Sequence, residues 1–591
     1  MVTEKRDKVV PQRLSREAYH ALENVVGKEW VCEDRAIIES YVVHCIDIGA
    51  ALGLLSRSAT MRFAAVVLPA TTEEVQGVVR VANRYGFQIT PWANAQTNTR
   101  PTVPGMVAVS LNRMNKCRVD AENLRMTIQP NVDYTSIHHE ASKRGLWLGG
   151  SGWHGCIAKP CSQYSTYGLW QSDLKYLGLA RNCLGLKVVR PDGSLLRLGS
   201  SAIAGTGEVP FTERVPGPNL MGMMKQSMGT RGIITEATLK LHPWVGGYPF
   251  PEDRGRPSIE HYFEEAKEKK FDRPPIFPRH KIFWFEYPDL KSMEKAMLRL
   301  ARSGVGIALN VTGEYNTLMC SYTIAEANER SKGFFHFMGY IVVAGISSER
   351  QLAYEEKVVR HIVEQTGGKL LSPEYKPELL DAQSNWNVEF VLNTETGMRT
   401  VRSNYIGVVL PTQSPFSQIT DAAALWSDGL RDVGTIGEER GEYFTTMPGK
   451  CPYVYVVDRG HQLTTEEDMF PERNNMDEVR QTFRMVMYEW FHFLANDKYG
   501  QSIMVDAGEP LQSVSPEVGP DRYRVWRKLK KAVDPNRVFV TGRMEYSAER
   551  FKEVSKKPAP LLQMILDTRE KLGMPKLELN EEGDGWRPAE Q

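Results

Sequence analysis

No apolar run in the 591-residue chain approaches the roughly 20 residues that a membrane-spanning helix needs. The first fourteen residues, Met1 to Leu14, are polar and charged and lack the apolar centre of a signal peptide, so a cytoplasmic protein without a membrane partner is expected. Excess charge of either sign is missing as well. The 73 Lys and Arg residues balance 72 Asp and Glu residues, and no basic tract is interleaved with aromatics, which argues against a nucleic-acid partner. The eight cysteines, at positions 32, 45, 117, 156, 161, 183, 320 and 451, form no C-x-x-C pair. Zinc and iron–sulfur ligation therefore lack their usual spacing, and reduced core thiols are the expected state for most of them. No histidines stand at metal-ligand spacing either. His138 and His139 are adjacent and point to different faces of any regular element. Low-complexity runs and internal repeats are absent.

What is present is an ordinary globular balance, 41% apolar and 25% charged residues, over a length that implies two or more domains. Ser15 to Val26 reads as a serine-capped helix. Ala64 to Pro69 reads as a buried strand. Thr71-Thr72-Glu73-Glu74 then opens a helix, because hydroxyl and carboxylates complement its free N–H groups, and Val75, Val78, Val79 and Ala82 give that helix one apolar face up to Tyr85-Gly86. Phe87 to Pro91 follows as a strand, and such a strand–helix–strand unit implies parallel pairing. Val107 to Leu111 and Arg125 to Ile128 are strand-like, and Tyr134 to Arg144 is an amphipathic helix closed by Gly145. Leu186 to Arg190, the turn Pro191-Asp192-Gly193-Ser194 and Leu195 to Leu198 form a hairpin. Gly232 to Leu241 alternates as another strand. Pro249 to Pro278 reads as a proline- and charge-rich linker, Lys281 to Tyr287 as a strand and Leu290 to Arg302 as a helix. Asp521 to Val533 is an amphipathic helix ending in Asp534-Pro535-Asn536, and the polar stretch Glu581 to Gln591 reads as loose.

In this order the elements resemble the FAD-binding superfamily of vanillyl-alcohol oxidase and p-cresol methylhydroxylase. The resemblance is carried by Leu68-Pro69 with Thr72-Glu73-Glu74-Val75, by Ala82-Asn83-Arg84-Tyr85-Gly86, and by Val107 to Met114. Further along it is carried by Asn182 to Val189 with Pro191-Asp192-Gly193, by Gln226-Ser227-Met228-Gly229 with Gly232-Ile233-Ile234-Thr235, and by Ala532 to Arg537. The branch that oxidises para-substituted phenols is nearest. The resemblance implies an α+β, two-domain PCMH-type FAD-binding fold with an α+β cap that holds the substrate. Its expected boundaries are a helical segment at 1–60, the FAD domain at 61–243, the cap at 244–510, a return to the FAD domain at 511–560 and a tail at 561–591.

FAD carries two negative phosphates, so backbone N–H groups must converge on them, and glycines usually allow that approach. The equivalent stretch here, Pro91 to Arg100, has no glycine. Asn tolerates left-handed geometry and Ala is small, so cradling by the backbone stays open, with Trp92, Ala93, Asn94, Ala95, Gln96 and Thr97 as cofactor-binding candidates. The other reading is a loop that has lost the cofactor. A second stretch, Gly149 to Cys161, has the family's glycines but Lys159-Pro160 in place of a glycine-containing pair. It adds Gly152 and Trp153, and the following Tyr167-Gly168 resembles the family's Tyr-Gly turn. Gly232 and Ile233 complete the cofactor set.

The phenol-oxidising branch holds its phenolate with a tyrosine and a Tyr-Arg pair. Those positions correspond here to Arg100 and to Ser502-Ile503, so that set is not preserved. Arg100 is a candidate for an anionic substrate group or for the phosphates. His154 is a candidate for flavin or substrate contact, or for satisfying its own loop. Tyr405 corresponds to the position of covalent flavin attachment, and reads equally as a strand aromatic. Glu439, Arg440, Glu442 and Tyr443 form a polar cluster, read either as substrate-facing or as charged surface. The resemblance implies an FAD-dependent oxidoreductase, an oxidase or dehydrogenase, that takes hydride from a small organic alcohol or alkyl substrate, aromatic ones included, to flavin N5. It also implies a homo-oligomer. The competing reading is a flavin-free or degenerate subunit that scaffolds a partner or performs non-redox chemistry.

Overall fold

The structure, a computed structural model, describes residues 13–41, 61–93, 101–150, 158–165, 172–243, 280–311, 337–372, 412–414, 453–466, 502–503, 520–541, 560–571, 573–579 and 586–588. Helix Arg16–Val26 begins where Ser15 accepts a hydrogen bond from Ala18 N–H, and it buries Ala18, Leu22 and Val26. Helix Thr72–Tyr85 is capped from both sides. Thr71 Oγ1 accepts from Glu74 N–H at 3.1 Å, and the Glu74 carboxylate accepts from Ala70 N–H at 2.7 Å. It ends at Gly86, whose φ of 72° is the left-handed stop. Strands β1 (Val31–Cys32), β2 (Ala65–Val67), β3 (Ile89–Trp92) and β4 (Val107–Ser110) form one sheet in the order β1-β2-β4-β3. β2 and β3 run parallel, as their connecting helix requires, but each pairs with β4, which enters between them. β4 is buried at every position, as a strand covered on both faces must be.

The open edge of β3 is closed from the far end of the chain. Ile89 N–H donates to Val538 O at 2.8 Å and Val540 N–H donates to Ile89 O at 2.9 Å, so the segment after helix Pro520–Val533 lies parallel to β3. A second, antiparallel sheet contains β5 (Cys117–Asp120), β6 (Arg125–Ile128), β8 (Cys183–Val189), β9 (Leu195–Gly199) and β10 (Ile233–Lys240), in the order β5-β6-β10-β8-β9. β8 and β9 are the hairpin around Gly193, whose φ is 79°. The short β7 (Leu146–Trp147) pairs with β11 (His242–Pro243). Val189 and Ile233 reach into the core of the first sheet, so the two sheets share apolar packing.

A third sheet holds eight antiparallel strands: β12 (His280–Tyr287), β13 (Ala308–Val311), β14 (Phe337–Ala344), β15 (Lys369–Leu370), β16 (Thr412–Ser414), β17 (Tyr453–Val457), β18 (Gln462–Glu466) and β19 (Ser502–Ile503). Phe283, Phe285, Tyr287, Leu309, Val311, Ile341 and Val343 pack with Met293, Met297, Leu300, Leu352, Val359 and Ile362 of helices Leu290–Arg302 and Glu349–Gln365. The residues between them in sequence point to the opposite face. Asp173 ties this unit to the part of the chain that carries the first two sheets. Its Oδ1 accepts from Asp458 N–H at 3.1 Å, in a turn where Asp458, Arg459 and Gly460 all have left-handed φ.

One expectation needs correction. Residues 581–591 are not wholly loose, because β21 (Trp586–Pro588) pairs antiparallel with β20 (Leu577–Leu579), which puts Trp586 opposite Leu579. The composition of that stretch is polar, but a two-strand ladder needs only a few residues facing a partner. No helix among the described residues is long and apolar enough to cross a membrane.

Candidate flavin site

Three elements converge at the carboxyl end of β3. The first is Pro91-Trp92 itself. Trp92 is half-buried, its ring lies 4.4 Å from that of Tyr41 and tilted by 50° to it, and Tyr41 OH donates to Ser110 Oγ at 3.2 Å at the end of β4. The second is the turn Gln226-Ser227-Met228-Gly229. Gln226, Met228 and Gly229 have φ of 55°, 50° and 72°, and left-handed backbone costs a non-glycine residue about 1–2 kcal/mol. The third element supports that strain. Helix Pro160–Ser165 presents its last carbonyls to the turn, where Gln226 N–H donates to Tyr164 O at 3.2 Å and Met228 N–H to Ser165 O at 2.9 Å. Thr230 closes the turn through its N–H and hydroxyl, both donating to Ser227 O, at 2.9 and 2.6 Å.

Among the described residues, two polar atoms at this junction are of particular interest. Ser227 is fully buried and its Oγ has no hydrogen-bond partner; Trp92 Nε1 is buried and equally unpartnered. An unmet buried donor costs about 1–3 kcal/mol, so both atoms suit a ligand that supplies acceptors. Gly229 leaves the turn against Pro91, where any Cβ would clash with the ring.

Gly149 and Gly150 rest on a row of rings. His138, Trp147, Tyr176 and His242 follow one another with centroids 6.0, 5.2 and 4.7 Å apart. Gly149, at φ 93°, stands so close to Tyr176 and His242 that no Cβ fits, and Ser172 Oγ donates to its carbonyl at 2.7 Å. Burial pushes His138 down to about 4, against a smaller opposing influence of the Gly150 backbone. His242, beside Asn182 Oδ1 at 3.0 Å, is likewise pushed down to about 4 by burial, with the Lys240 charge adding to it. Both rings are neutral at pH 7.

On the third sheet, one register row crosses the strands through Trp284, Tyr340, Asn310, Tyr455, Thr464, Gln413 and Ser502. Its first residues lie on the face opposite the two helices. Trp284, Tyr340, Asn310 and Thr464 are fully buried, and Asn310 Nδ2 donates to Tyr340 OH at 2.7 Å. Trp284 Nε1, Asn310 Oδ1 and Thr464 Oγ1 have no partner.

Of the residues singled out from sequence, Trp92, Ala93, Gly232 and Ile233 are described. Trp92 ends β3 and Ala93 follows it, both partly buried. Gly232 is there for packing, since a Cβ would meet Val188 Cγ1 at 2.7 Å, and Ile233 buries its side chain in the core, so only its backbone is available to a cofactor. Asn94, Ala95, Gln96, Thr97, Arg100, Gly152, Trp153, His154, Tyr167, Gly168 and Tyr405 lie outside the described residues, as does the cluster Glu439 to Tyr443. Sequence reasoning missed Tyr41, Ser227 and Thr230 as site residues. The segment Gln226-Ser227-Met228-Gly229, which carries part of the family resemblance, was the available signal.

Residues 63–199 match the FAD binding domain family. Over 91% of its length the chain superposes on p-cresol methylhydroxylase with substrate bound, covering 99% of that chain at a TM-score of 0.69 and 18% identity. The chain has the PCMH-type FAD-binding fold. FAD is the cofactor of this PCMH-type chain, and the junction fits it, with two unpartnered buried donors beside a turn that approaches β3 as closely as glycine allows. In sequence it is 28% identical over 188 residues to the mitochondrial D-lactate dehydrogenase (cytochrome) 1 of Saccharomyces cerevisiae, which is 30% of this chain and 29% of that one. It is 30% identical over 193 residues to the alkyldihydroxyacetonephosphate synthase of Dictyostelium discoideum, 30% of this chain and 28% of the relative. The match thus spans under a third of the length of these two relatives.

Proposed function

We propose that the chain is an FAD-linked oxidoreductase, an oxidase or dehydrogenase, that oxidises a small organic alcohol or alkyl substrate. The observation that carries this reading is the left-handed Gln226–Gly229 turn, which holds the buried, unpartnered Ser227 Oγ and is set against Pro91 at the end of β3. Relatives named dehydrogenases of D-lactate support the reaction class, and the structural likeness to p-cresol methylhydroxylase supports a cap over the flavin. Bound FAD supplies the two-electron acceptor for the substrate's hydride.

The chain's own residues bind and orient. Trp92 and Ser227 are the proposed donors to the cofactor, and Asn94, Ala95, Gln96 and Thr97 the proposed partners of its phosphates. Gly152, Trp153, Tyr167 and Gly168 belong to the second cofactor-contacting stretch. Arg100 and His154 are the proposed polar partners of the substrate, and Tyr405 the candidate for covalent attachment. The row Trp284–Tyr340–Asn310–Thr464 forms the substrate wall of the cap. An indole donor, an amide acceptor and a hydroxyl suit a neutral hydroxylated group, and the Trp284 and Tyr340 rings, 4.7 Å apart, suit an apolar or aromatic body beside it. A cytoplasmic location and assembly into identical copies belong to the same proposal.

The test is the visible spectrum of the purified chain before and after acid precipitation. Flavin bands that pass to the supernatant mean non-covalent FAD, and bands that stay with the pellet direct attention to Tyr405. A colourless protein that takes up no FAD overturns the proposal. Reduction of the bound flavin by D-2-hydroxy acids or by benzylic alcohols then separates substrate classes.

A further inference from the structure

The residue bracing the flavin turn from behind comes from three hundred positions later in the chain. Lys530, in helix Pro520–Val533, is 4% exposed and Asp534 is 1% exposed. Lys530 Nζ donates to Asp534 Oδ2 at 2.6 Å, to Thr230 O at 2.5 Å and to Phe539 O at 3.2 Å, so all three of its N–H groups are used. Asp534 in turn accepts from Val538 N–H at 2.9 Å and Phe539 N–H at 3.0 Å. The same helix presents Trp526 to the Arg231 guanidinium, 3.7 Å above the ring, and Arg231 donates to Met223 O at 2.8 Å on the other side of the turn.

A buried ion pair contributes little net stability, because desolvation offsets its attraction, and an apolar pair of similar size often does as well. Its role is then sought in what it holds, and the bonds trace that. Lys530 holds the Thr230 carbonyl; Thr230 holds the Ser227 carbonyl with two hydrogen bonds; Ser227 is left with its hydroxyl free at the flavin junction. Asp534 meanwhile sets the backbone of Val538 to Val540, which lies along β3 just before Pro91-Trp92. Both polar atoms awaiting a ligand are therefore braced by one buried pair.

We propose that Lys530 and Asp534 are positioning residues for FAD: docking of segment 520–541 preorganises the Ser227 turn, and FAD affinity depends on that docking. The inference rests on FAD as cofactor and is independent of the substrate. Binding and docking are then coupled in both directions. FAD slows backbone hydrogen exchange in helix Pro520–Val533, and loosening the helix weakens FAD.

The experiment uses the full chain carrying Lys530→Met with Asp534→Asn, which removes both charges and keeps an acceptor for the Val538 amide. FAD dissociation constants come from quenching of flavin fluorescence, and the melting temperature is taken on cofactor-free protein. The expected result is a tenfold or greater rise in the dissociation constant, with a shifted flavin absorbance envelope and a cofactor-free melting temperature within a few degrees of the parent. An unchanged dissociation constant overturns the proposal, whatever the melting temperature does. Should the double variant not fold, Thr230→Val removes the hydroxyl step of the same relay and leaves the ion pair intact. It is expected to weaken FAD several-fold, and unchanged binding there overturns the proposal as well. Failure of the parent chain to bind FAD would instead count against the flavin assignment itself.

Discussion

A Cβ built on Gly229 falls 2.7 Å from Pro91 Cγ, so the Ser227 turn and the end of β3 touch where only a hydrogen atom fits. Gly229 also sits at φ 72°. Gly229→Ala therefore adds about 1–2 kcal/mol of left-handed strain and about 1–3 kcal/mol of overpacking. The expected outcome is a melting temperature lowered by several degrees together with release of flavin on gel filtration. An alanine variant that melts like the parent and keeps its flavin would contradict the close contact.

Ser227→Ala and Trp92→Phe separate ligand binding from folding. Each removes a buried donor that no protein group satisfies, so the cofactor-free protein loses no hydrogen bond. If each donates to the cofactor as proposed, each variant loses about 0.5–1.5 kcal/mol, which is about a 2- to 10-fold weaker FAD complex. Titration of the cofactor-free variants with FAD decides the matter. Equal affinity in both variants and parent would place the flavin elsewhere.

The cap row gives a parallel test on the substrate side. Thr464→Val is isosteric and deletes a buried hydroxyl that has no partner, so stability is expected to stay the same or rise slightly. If the row lines the substrate cavity, the variant raises KM for a hydroxylated substrate several-fold, with FAD content unchanged. Steady-state kinetics on flavin-replete enzyme reads this directly, and parent-like KM would remove the row from the substrate wall.

His138 and His242 make stability depend on pH. Each is pushed down from 6.5 to about 4 in the folded chain. Between those values the unfolded chain binds protons that the folded one does not, so stability is full above 6.5 and is lost as pH falls towards 4. The expected observation is a melting temperature that declines from pH 6.5 to pH 5, above the range where carboxylates protonate. His138→Gln removes one of the two contributions and flattens that slope. A parent whose melting temperature is level across this window would show that these rings charge without cost.

Local chemistry made much of this chain readable before any tertiary contact was considered. Ser15 and Thr71 each cap the helix that follows, because a side-chain oxygen three residues from a free N–H needs no distant partner. The hairpin around Gly193 and the apolar face of Val75, Val78, Val79 and Ala82 are legible for the same reason. The motif order from Leu68 to Arg537 was enough to indicate the flavin fold. The candidate site was legible only in part: Trp92 could be named, whereas Ser227 was seen as a motif letter and not as a buried free hydroxyl.

Sequence, then, determined the helices, the hairpin and the class of cofactor, since each depends on residues a few positions apart or on a short motif. Tertiary structure decided that β4 enters between β2 and β3, that Val538 to Val540 closes the edge of β3, that Trp586 finds Leu579, and that Lys530 reaches Thr230. Those pairings join groups that any extended chain holds far apart. Which of them form is set by the shared burial of whole surfaces and the saturation of buried donors, and neither quantity exists until the chain has closed on itself.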